Sequence, residues 1–585
     1  MYSVTIPVML RDDFDRDDTL SELKRAGADR VLLAVNRAFR DGRIDTEIQL
    51  DRMKECIRDY ENTGLDVGVW LGETMGHGWG PVIETVYTPF TSINGRKADG
   101  GFCCADENFR RDVCIWAANA AEAGAKLILL DDDWRMSSHG DGTFAGCMCE
   151  DHIRRYCEMA GETLTREEIA KKVFTGSASR YREIWQQLMG GDMLRLAREI
   201  REAVDAVNPE CRIGLCTAPS VVDLDGSDFM EITSALAGNT RPYVRLIGAP
   251  YWAKCTRDLT TVITTERMIA HFAKEWKEKT NAEVLAEGDV YSRPRTACPA
   301  AYLEIFDQIL RADGNFTGIQ KYMMDYGKPA RWEHGFIDKH VKNRALAEQI
   351  TELFAGRIQT GFRAWEFRSL FAGADLPEED PAAGNLTAYE QFRGLTTAYL
   401  TDASVPVSFD SGITVVFGEN AKYIPEAELK NGAVLDLTAA DILRKRGIDT
   451  GSDPADSGIA RHENAEGQRF AVCPFHAVPN EGTRFFRNYD RQRELYEIGG
   501  WISRRPVSAM ITDCPDAYIM TAEDEMEKAV GLWNVFEDAI DEPVITLADE
   551  PKNIRFVNCT GCADGNRIKL SEILPFGFAG FTYEV

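Results

Sequence analysis

The stretch Lys126-Leu127-Ile128-Leu129-Leu130-Asp131-Asp132-Asp133-Trp134-Arg135 decides how the first part of this chain is read. A short apolar run, too brief for a helix, ends abruptly in three carboxylates and an aromatic residue. Such a run reads as a buried strand whose C-terminal end opens onto a polar loop. Seven further runs repeat the pattern: Thr5–Leu10, Arg30–Val35, Asp66–Leu71, Arg212–Cys216, Val244–Gly248, Glu283–Ala286 and Gly318–Tyr322. Amphipathic stretches lie between them, among them Phe109–Ala123 and Gly191–Val207. Strands alternating with helices imply a parallel sheet. Eight such units over residues 1–357 predict an α/β fold of the (β/α)8 TIM-barrel type. The long connection from strand 4 to strand 5, which holds Cys147, Cys149 and His152, lies on the side of the barrel where active sites are built.

The character of the chain changes after the barrel. The acidic stretch Ala374–Pro381 holds two prolines and reads as a linker or loop. Val405–Phe409, Ile413–Phe417 and Ala433–Leu437, with helical patterns at Pro425–Lys430 and Ala439–Arg446, predict a flavodoxin-like α/β domain over residues 358–468. Over residues 469–585 the helical patterns mostly stop. Phe470–Cys473, Ala517–Met520, Val544–Leu547, Ile554–Val557 and Phe578–Tyr583 predict a C-terminal β-sandwich. No internal repeat is present.

The 585 residues include 67 Lys and Arg against 94 Asp and Glu, a formal net charge of −27. Such a chain is repelled by nucleic acid and by anionic membrane surfaces, so neither is expected as a partner. A neutral or cationic small molecule fits better, and the charge also serves solubility. No apolar run reaches the roughly 18 residues of a membrane span. Met1–Leu10 has no basic region and no small-residue cleavage site, and reads as the first strand; a cytoplasmic location is expected. Fifteen scattered cysteines then point to reduced thiols, and some of them to a metal site.

Catalytic groups of a parallel barrel sit at the C-terminal ends of its strands. Asp131, Asp132 and Asp133 follow strand 4. Glu287 and Asp289 follow strand 7. Carboxylates at those two ends face each other across the mouth, the arrangement that glycoside hydrolysis needs. Each acid alone can equally cap a loop or meet a lysine. Two other functions fit the same residues: a metal-dependent hydrolase or lyase with Asp131–Asp133 as oxygen ligands, and a sugar-binding barrel without turnover. Trp134, Tyr251, Trp252 and Trp332 follow strands 4, 6 and 8 and can stack on sugar faces or simply pack. Glu73 and His77 lie on the strand-3 loop and can line the pocket. Arg11 and Arg37 follow strands 1 and 2 and can bind sugar hydroxyls or orient Glu287.

Cys103, Cys147, Cys149 and His152 form a C-x43-C-x-C-x2-H pattern. Three thiolates and an imidazole suit tetrahedral zinc, while buried cysteine also serves as a small apolar residue. Cys104 can stand in for Cys103. The pair Cys559 and Cys562 has no second pair nearby and reads as a strand-turn feature.

These motifs resemble those of glycoside hydrolase family 42, the barrel β-galactosidases, and related clan A glycosidases. Cys103, followed by Phe109-Arg110, is similar to the family's first zinc cysteine and its aromatic-Arg pair. Cys147, Cys149 and His152 resemble the later zinc ligands, with His in place of the last Cys. Leu130-Asp131-Asp132-Asp133-Trp134 stands where the family has Asp-Asn-Glu-Tyr. The resemblance therefore implies Asp133 as acid/base, Asp132 in place of a sugar-binding Asn, and Glu287 as nucleophile; Asp131, Asp132 and Glu73 stand as alternative acid/base candidates. Trp332, Glu333 and His334, with His340, resemble a sugar-contacting stretch after strand 8. Residues 421–447 are similar to the domain that trimerises those enzymes. The resemblance thus implies an exo-acting, retaining hydrolase of a β-linked sugar, acting on a glycoside or oligosaccharide. It also implies a structural Zn2+, no organic cofactor, and a homo-oligomer, with a trimer as the form the α/β-domain likeness suggests. The departures are an Asp for the acid/base Glu, an acid for the Asn, and Gly100 where the family has a sugar-binding Arg.

Overall fold

Eight parallel strands close into a barrel in chain order: Ser3–Met9, Arg30–Asn36, Asp66–Gly72, Leu127–Leu130, Arg212–Thr217, Tyr243–Leu246, Glu283–Gly288 and Gly318–Lys321. They are barrel strands 1 to 8 below. The circle shuts where Ser3, Val4 and Thr5 pair with Gly318, Ile319 and Gln320. The structure is a computed structural model that describes residues 2–10, 15–77, 83–137, 144–217, 224–251, 253–291, 295–324, 330–367, 371–381, 394–455, 457–477, 489–511, 514 and 517–585.

Successive residues of a strand point to opposite faces. Leu32, Leu127, Leu129, Cys216, Tyr243 and Leu285, with Trp70, form a cluster of their own, apart from the larger core under the helices. They are alternate residues of strands 2 to 7 and fill the barrel. The same alternation carries Arg245 of strand 6, Glu287 of strand 7 and Asp131, just past strand 4, to the inward side. The fold thus puts charge at the upper end of an otherwise apolar interior.

The helix Glu107–Glu122 starts where the Asp106 carboxylate accepts the Phe109 N–H at 2.9 Å. The helix Arg180–Asp205 begins well before the expected Gly191. It runs straight through Gly190-Gly191 because a Cβ at Gly190 would lie 2.1 Å from the Gly226 carbonyl oxygen. The glycine marks a close crossing of backbones, not a break. The connection from strand 4 to strand 5 holds this helix and two shorter ones, Glu150–Ala160 and Arg166–Phe174.

After the barrel comes a six-stranded sheet in the spatial order Val407–Ser408, Phe362–Ala364, Ile413–Val416, Gly432–Leu435, Arg469–Val472 and Ala460–Glu463. All pairs are parallel except the last. This is a flavodoxin-like order with an antiparallel edge strand. Two antiparallel sheets follow. One holds Ile358–Thr360, Ala517–Glu523, Glu527–Asn534, Phe578–Glu584 and Lys552–Val557; the other holds Ala509–Ile511, Val544–Leu547, Arg567–Leu570 and Gly561–Asp564. Their facing residues, including Ile519, Leu532, Phe581, Ile545 and Ile568, share one core, as in a sandwich.

Two memberships differ from the sequence expectation. Arg469–Val472 pairs with Gly432–Leu435 in the α/β sheet, and a 15-residue helix, Tyr489–Ser503, follows in a stretch where helical patterns mostly stop. Ile358–Thr360 pairs with Ala517–Glu523 in the sandwich. Sheet membership is a long-range pairing, and a short apolar run does not encode it. Among the described residues no helix is long and apolar enough to cross a membrane.

Candidate active site

Glu287, near the C-terminal end of strand 7, is buried. Its Oε1 accepts hydrogen bonds from the Arg245 guanidinium of strand 6 and from the Tyr322 hydroxyl after strand 8, the latter at 2.9 Å. Arg245 also reaches the Tyr322 oxygen at 2.8 Å, and Gln320 Nε2 does so at 3.0 Å. The other carboxylate oxygen, Oε2, has no hydrogen-bond partner among the described residues. Burial pushes the Glu287 carboxyl up to about 8, with Asp289 and Asp132 adding to the rise and Arg245 and Tyr322 opposing it.

The three strand-4 acids have separate surroundings although they are consecutive. Asp131 accepts from Trp70 Nε1 at 3.3 Å and from the Glu73 N–H at 3.0 Å. Burial and the charges of Asp132 and Asp133 push it up to about 7. Asp132 lies 3.3 Å from His77 Nε2 and 3.8 Å from the Arg135 guanidinium. Burial would raise Asp132, but the His77 hydrogen bond and the Arg135 charge overcome it and hold the carboxyl well below the usual range. Asp133 is 0% exposed; its Oδ2 accepts the Gly76 N–H and its Oδ1 has no partner among the described residues. Burial raises its carboxyl against the opposing pull of His77 and Gly76.

The strand-3 loop is what sorts these acids. Gly76 has φ +99°, and a Cβ there would fall 1.9 Å from the Gly100 carbonyl oxygen. The Phe102 N–H holds the Met75 carbonyl at 3.0 Å, and Arg37 bridges the carbonyls of Thr74 and Gly100. The loop therefore presents the Glu73 and Gly76 N–H groups to Asp131 and Asp133, and the His77 ring to Asp132. For His77, burial disfavours the charge, but the bond to Asp132 and the charges of Asp133 and Asp131 raise it to about 9.

The structure brings Glu287, Asp131, Asp132, Asp133 and His77 together, and adds Arg245, Tyr322 and Trp70. The one available signal for Arg245 was a charge in the middle of a buried strand. Tyr251 is 37% exposed after strand 6, and its phenol acts electrostatically on Arg245. Several expected sugar contacts lie elsewhere. Trp134 is fully buried and packs in the core, because the chain turns inward after Asp133. Arg37 holds the strand-3 loop instead of reaching Glu287. Glu73 contributes its backbone N–H, and its side chain is exposed. Trp332 is 71% exposed. Glu333 meets Arg295 at 3.1 Å and caps the Gly335 N–H, and His334 lies 3.3 Å from Glu22. These are rim contacts around the start of the helix Gly335–Phe354. His340 is buried against Lys321 at 3.0 Å, on the outer side of strand 8. Arg11 and Trp252 lie outside the described residues.

The second cluster is Cys103, Cys147, Cys149 and His152, all buried, with their ligand atoms within 4.8 Å of one another. His152 Nδ1 lies 3.5 Å from Cys103 Sγ and 3.4 Å from Cys149 Sγ. A tetrahedral ion with sulfur at about 2.3 Å and nitrogen at about 2.0 Å requires edges of roughly 3.5 Å, so the donor set fits a metal. The far nitrogen, Nε2, meets Asp192 at 2.9 Å, and Arg155 grips the same carboxylate with two bonds at 2.6 and 2.8 Å. This is the outer support typical of a ligating histidine. Four protein ligands leave no open position, so a metal here would shape the loop and not react. The cluster touches the active-site loops: the Gly146 N–H meets the Met136 carbonyl at 2.9 Å, and Cys104 Sγ lies 3.8 Å from Met136 Sδ.

His77, Asp131 and Asp132 also bring ligand atoms within 4.8 Å of one another. Both Asp131 oxygens are already taken by N–H donors and Asp132 is paired with His77. The group is therefore a hydrogen-bonded carboxylate–imidazole cluster. Two cavities, of about 740 and 920 Å³, lie between the α/β sheet and the sandwich and at the N-terminal end of the barrel, away from these acids.

No family model matches the chain, and no curated protein does. Solved structures match it over its whole length. The α-L-fucosidase isoenzyme 2 of Paenibacillus thiaminolyticus is similar at 10% identity and a TM-score of 0.60, covering 100% of both chains. A β-galactosidase of Bacillus circulans sp. alkalophilus is similar at 10% identity and a TM-score of 0.57, covering 100% of this chain and 99% of its own. A catalytic mutant of a GH42 β-galactosidase of G. stearothermophilus is similar at 9% identity and a TM-score of 0.56, covering 100% of this chain and 98% of its own. The resemblance read from the motifs thus extends to the fold, which this chain shares with those proteins over its length.

Proposed function

We propose that this protein is an exo-acting, retaining glycoside hydrolase that releases a β-linked sugar from a glycoside or oligosaccharide. The observation that carries the reading is the divided carboxylate of Glu287. Arg245 and Tyr322 hold one oxygen, and the other has no partner among the described residues, at the strand end that faces the strand-4 acids. A nucleophile needs this: one oxygen fixed, the other directed at the anomeric carbon. The shared fold with structures titled β-galactosidase and α-L-fucosidase supports the same reaction class.

In this mechanism Glu287 Oε2 attacks the anomeric carbon while the leaving oxygen takes a proton from the strand-4 side. Water then releases the sugar, with the same group now acting as base. By position Asp133 matches the family's acid/base, and its raised carboxyl suits a proton donor. Asp132 lies closer in charge to Glu287, in the place of the sugar-binding Asn. Tyr251 is the aromatic residue best placed beside Arg245 to contact sugar.

The proposal extends to Zn2+ on Cys103, Cys147, Cys149 and His152, and to a cytoplasmic homotrimer assembled through the α/β domain. The latter rests on the likeness of residues 421–447 to a trimerising domain, and sedimentation of the full chain tests it. A panel of aryl glycosides covering β- and α-linked galactose, glucose, mannose, fucose, arabinose and xylose tests the activity. Turnover of a member that Glu287→Ala abolishes supports the reading. Turnover that survives in Glu287→Ala rejects Glu287 as the nucleophile.

A further inference from the structure

An acid that serves a glycosidic oxygen has to reach it. Of the strand-4 carboxyls, Asp133 is 0% exposed and tied down by the Gly76 N–H, and Asp131 has both oxygens bonded. Asp132, 13% exposed, and His77, 18% exposed, are more open than either, with His77 Nε2 and Asp132 Oδ1 3.3 Å apart. An Asp side chain is also one methylene short of the Glu that the family places on this strand. The imidazole comes in from the neighbouring strand-3 loop as a longer side chain beside it.

We propose that His77, oriented by Asp132, is the general acid/base of this active site. The inference rests on the glycosidase reading above. Asp132 fixes the Nε2–H of the ring, as a carboxylate fixes the imidazole in other acid/base dyads. The Nδ1 proton passes to the glycosidic oxygen as its bond to the anomeric carbon breaks, the bonding pair leaves with the oxygen, and Glu287 Oε2 forms the new bond to carbon. In the second step neutral His77 takes a proton from water, the water oxygen bonds to the anomeric carbon, and the bond to Glu287 breaks. One proton leaves and one returns, so the cycle closes.

The charges around the ring agree with this role. Asp131, Asp132 and Asp133 from strand 4 favour the imidazolium, whereas burial of the ring opposes it. The acid must keep its proton at a pH where Glu287 has lost its own. Glu287 is pushed up to about 8, Asp131 to about 7, and His77 to about 9. His77 meets the condition and Asp131 does not.

The test compares wild type, His77→Asn and Asp133→Asn on aryl glycosides of graded leaving groups, from dinitrophenyl, which departs without protonation, to phenyl. His77→Asn is expected to lower kcat/KM on the phenyl glycoside by about 10²–10⁴-fold, while the dinitrophenyl glycoside changes within a few fold. Asp132→Asn is the second variant: it should move the alkaline limb of the pH profile to lower pH, because the ring loses its anionic partner. Thermal melts establish that each variant is folded. A loss in His77→Asn that ignores the leaving group, or a leaving-group-dependent loss that appears in Asp133→Asn instead, overturns the assignment while leaving the glycosidase reading intact. A wild-type protein that turns over no dinitrophenyl glycoside overturns both.

Discussion

Tyr322 donates its hydroxyl to Glu287 Oε1 at 2.9 Å, so the end of strand 8 fixes a carboxylate on strand 7. The same phenol takes a bond from Arg245 on strand 6. Three adjacent strands therefore converge on a single oxygen. Removing the hydroxyl in Tyr322→Phe takes away a bond to a charged group, worth roughly 1.5–3 kcal/mol, so kcat/KM should fall by about ten- to a hundredfold. The bond favours the ionised form, so its loss raises the Glu287 carboxyl further. The acid limb of the kcat/KM profile should move to higher pH, and an unmoved limb would exclude a role for Tyr322 in holding the anion.

The pH profile of the wild-type enzyme should peak on the alkaline side. Activity is expected to rise as Glu287 ionises through about 8 and to fall as His77 loses its proton through about 9. The two steps lie close together, so the peak should be narrow. A stopped assay across the range resolves it, and an optimum below neutrality would reject this assignment of the two protons.

Asp192 accepts from His152 Nε2 at 2.9 Å and supports the ring from outside the ligand set. Asp192→Asn should weaken metal affinity by about 10–100-fold with all four ligands in place. Elemental analysis of the purified protein, followed by competition with a chromophoric chelator, measures it. Cys147→Ser should abolish stoichiometric metal. Equal retention in both variants would show that the cluster packs without an ion.

Lys321, fully buried on the outer side of strand 8, is held by Glu304 at 2.6 Å and Asp307 at 2.8 Å. Burial works to raise Asp307, but Arg311 and Lys321 beside it pull its carboxyl well below the usual range. Asp307→Asn leaves the buried cations short of a counter-charge and should destabilise the fold by about 3–5 kcal/mol. A carboxyl depressed in the folded state contributes stability that is present above the ordinary carboxylate range and is lost as the pH falls below it. Denaturant midpoints against pH should therefore fall less steeply on the acid side in Asp307→Asn than in wild type.

Much of this was legible in the sequence because the underlying signals are local. Eight apolar runs punctuated by amphipathic stretches specify a parallel barrel, since each run buries both faces and each helix buries one. The spacing of Cys103, Cys147, Cys149 and His152 named four residues that do converge. Acids placed just after strands 4 and 7 had to meet at the mouth once the barrel closed. The tertiary structure decided what each acid does there. Asp131, Asp132 and Asp133 are identical in type and adjacent in sequence, and the strand-3 loop, turned by Gly76 and pinned by Arg37, gives one the Glu73 N–H, one the His77 ring and one the Gly76 N–H. Arg245 looked like a charge in a strand until the alternation around the closed barrel aimed it at Glu287. The strand Arg469–Val472 joined the α/β sheet because of a partner more than thirty residues earlier in the chain, at Gly432–Leu435. Local pattern fixes which segments become strands and helices; the neighbours that set burial, charge state and reach are brought in from distant parts of the chain, and they exist only after it has folded.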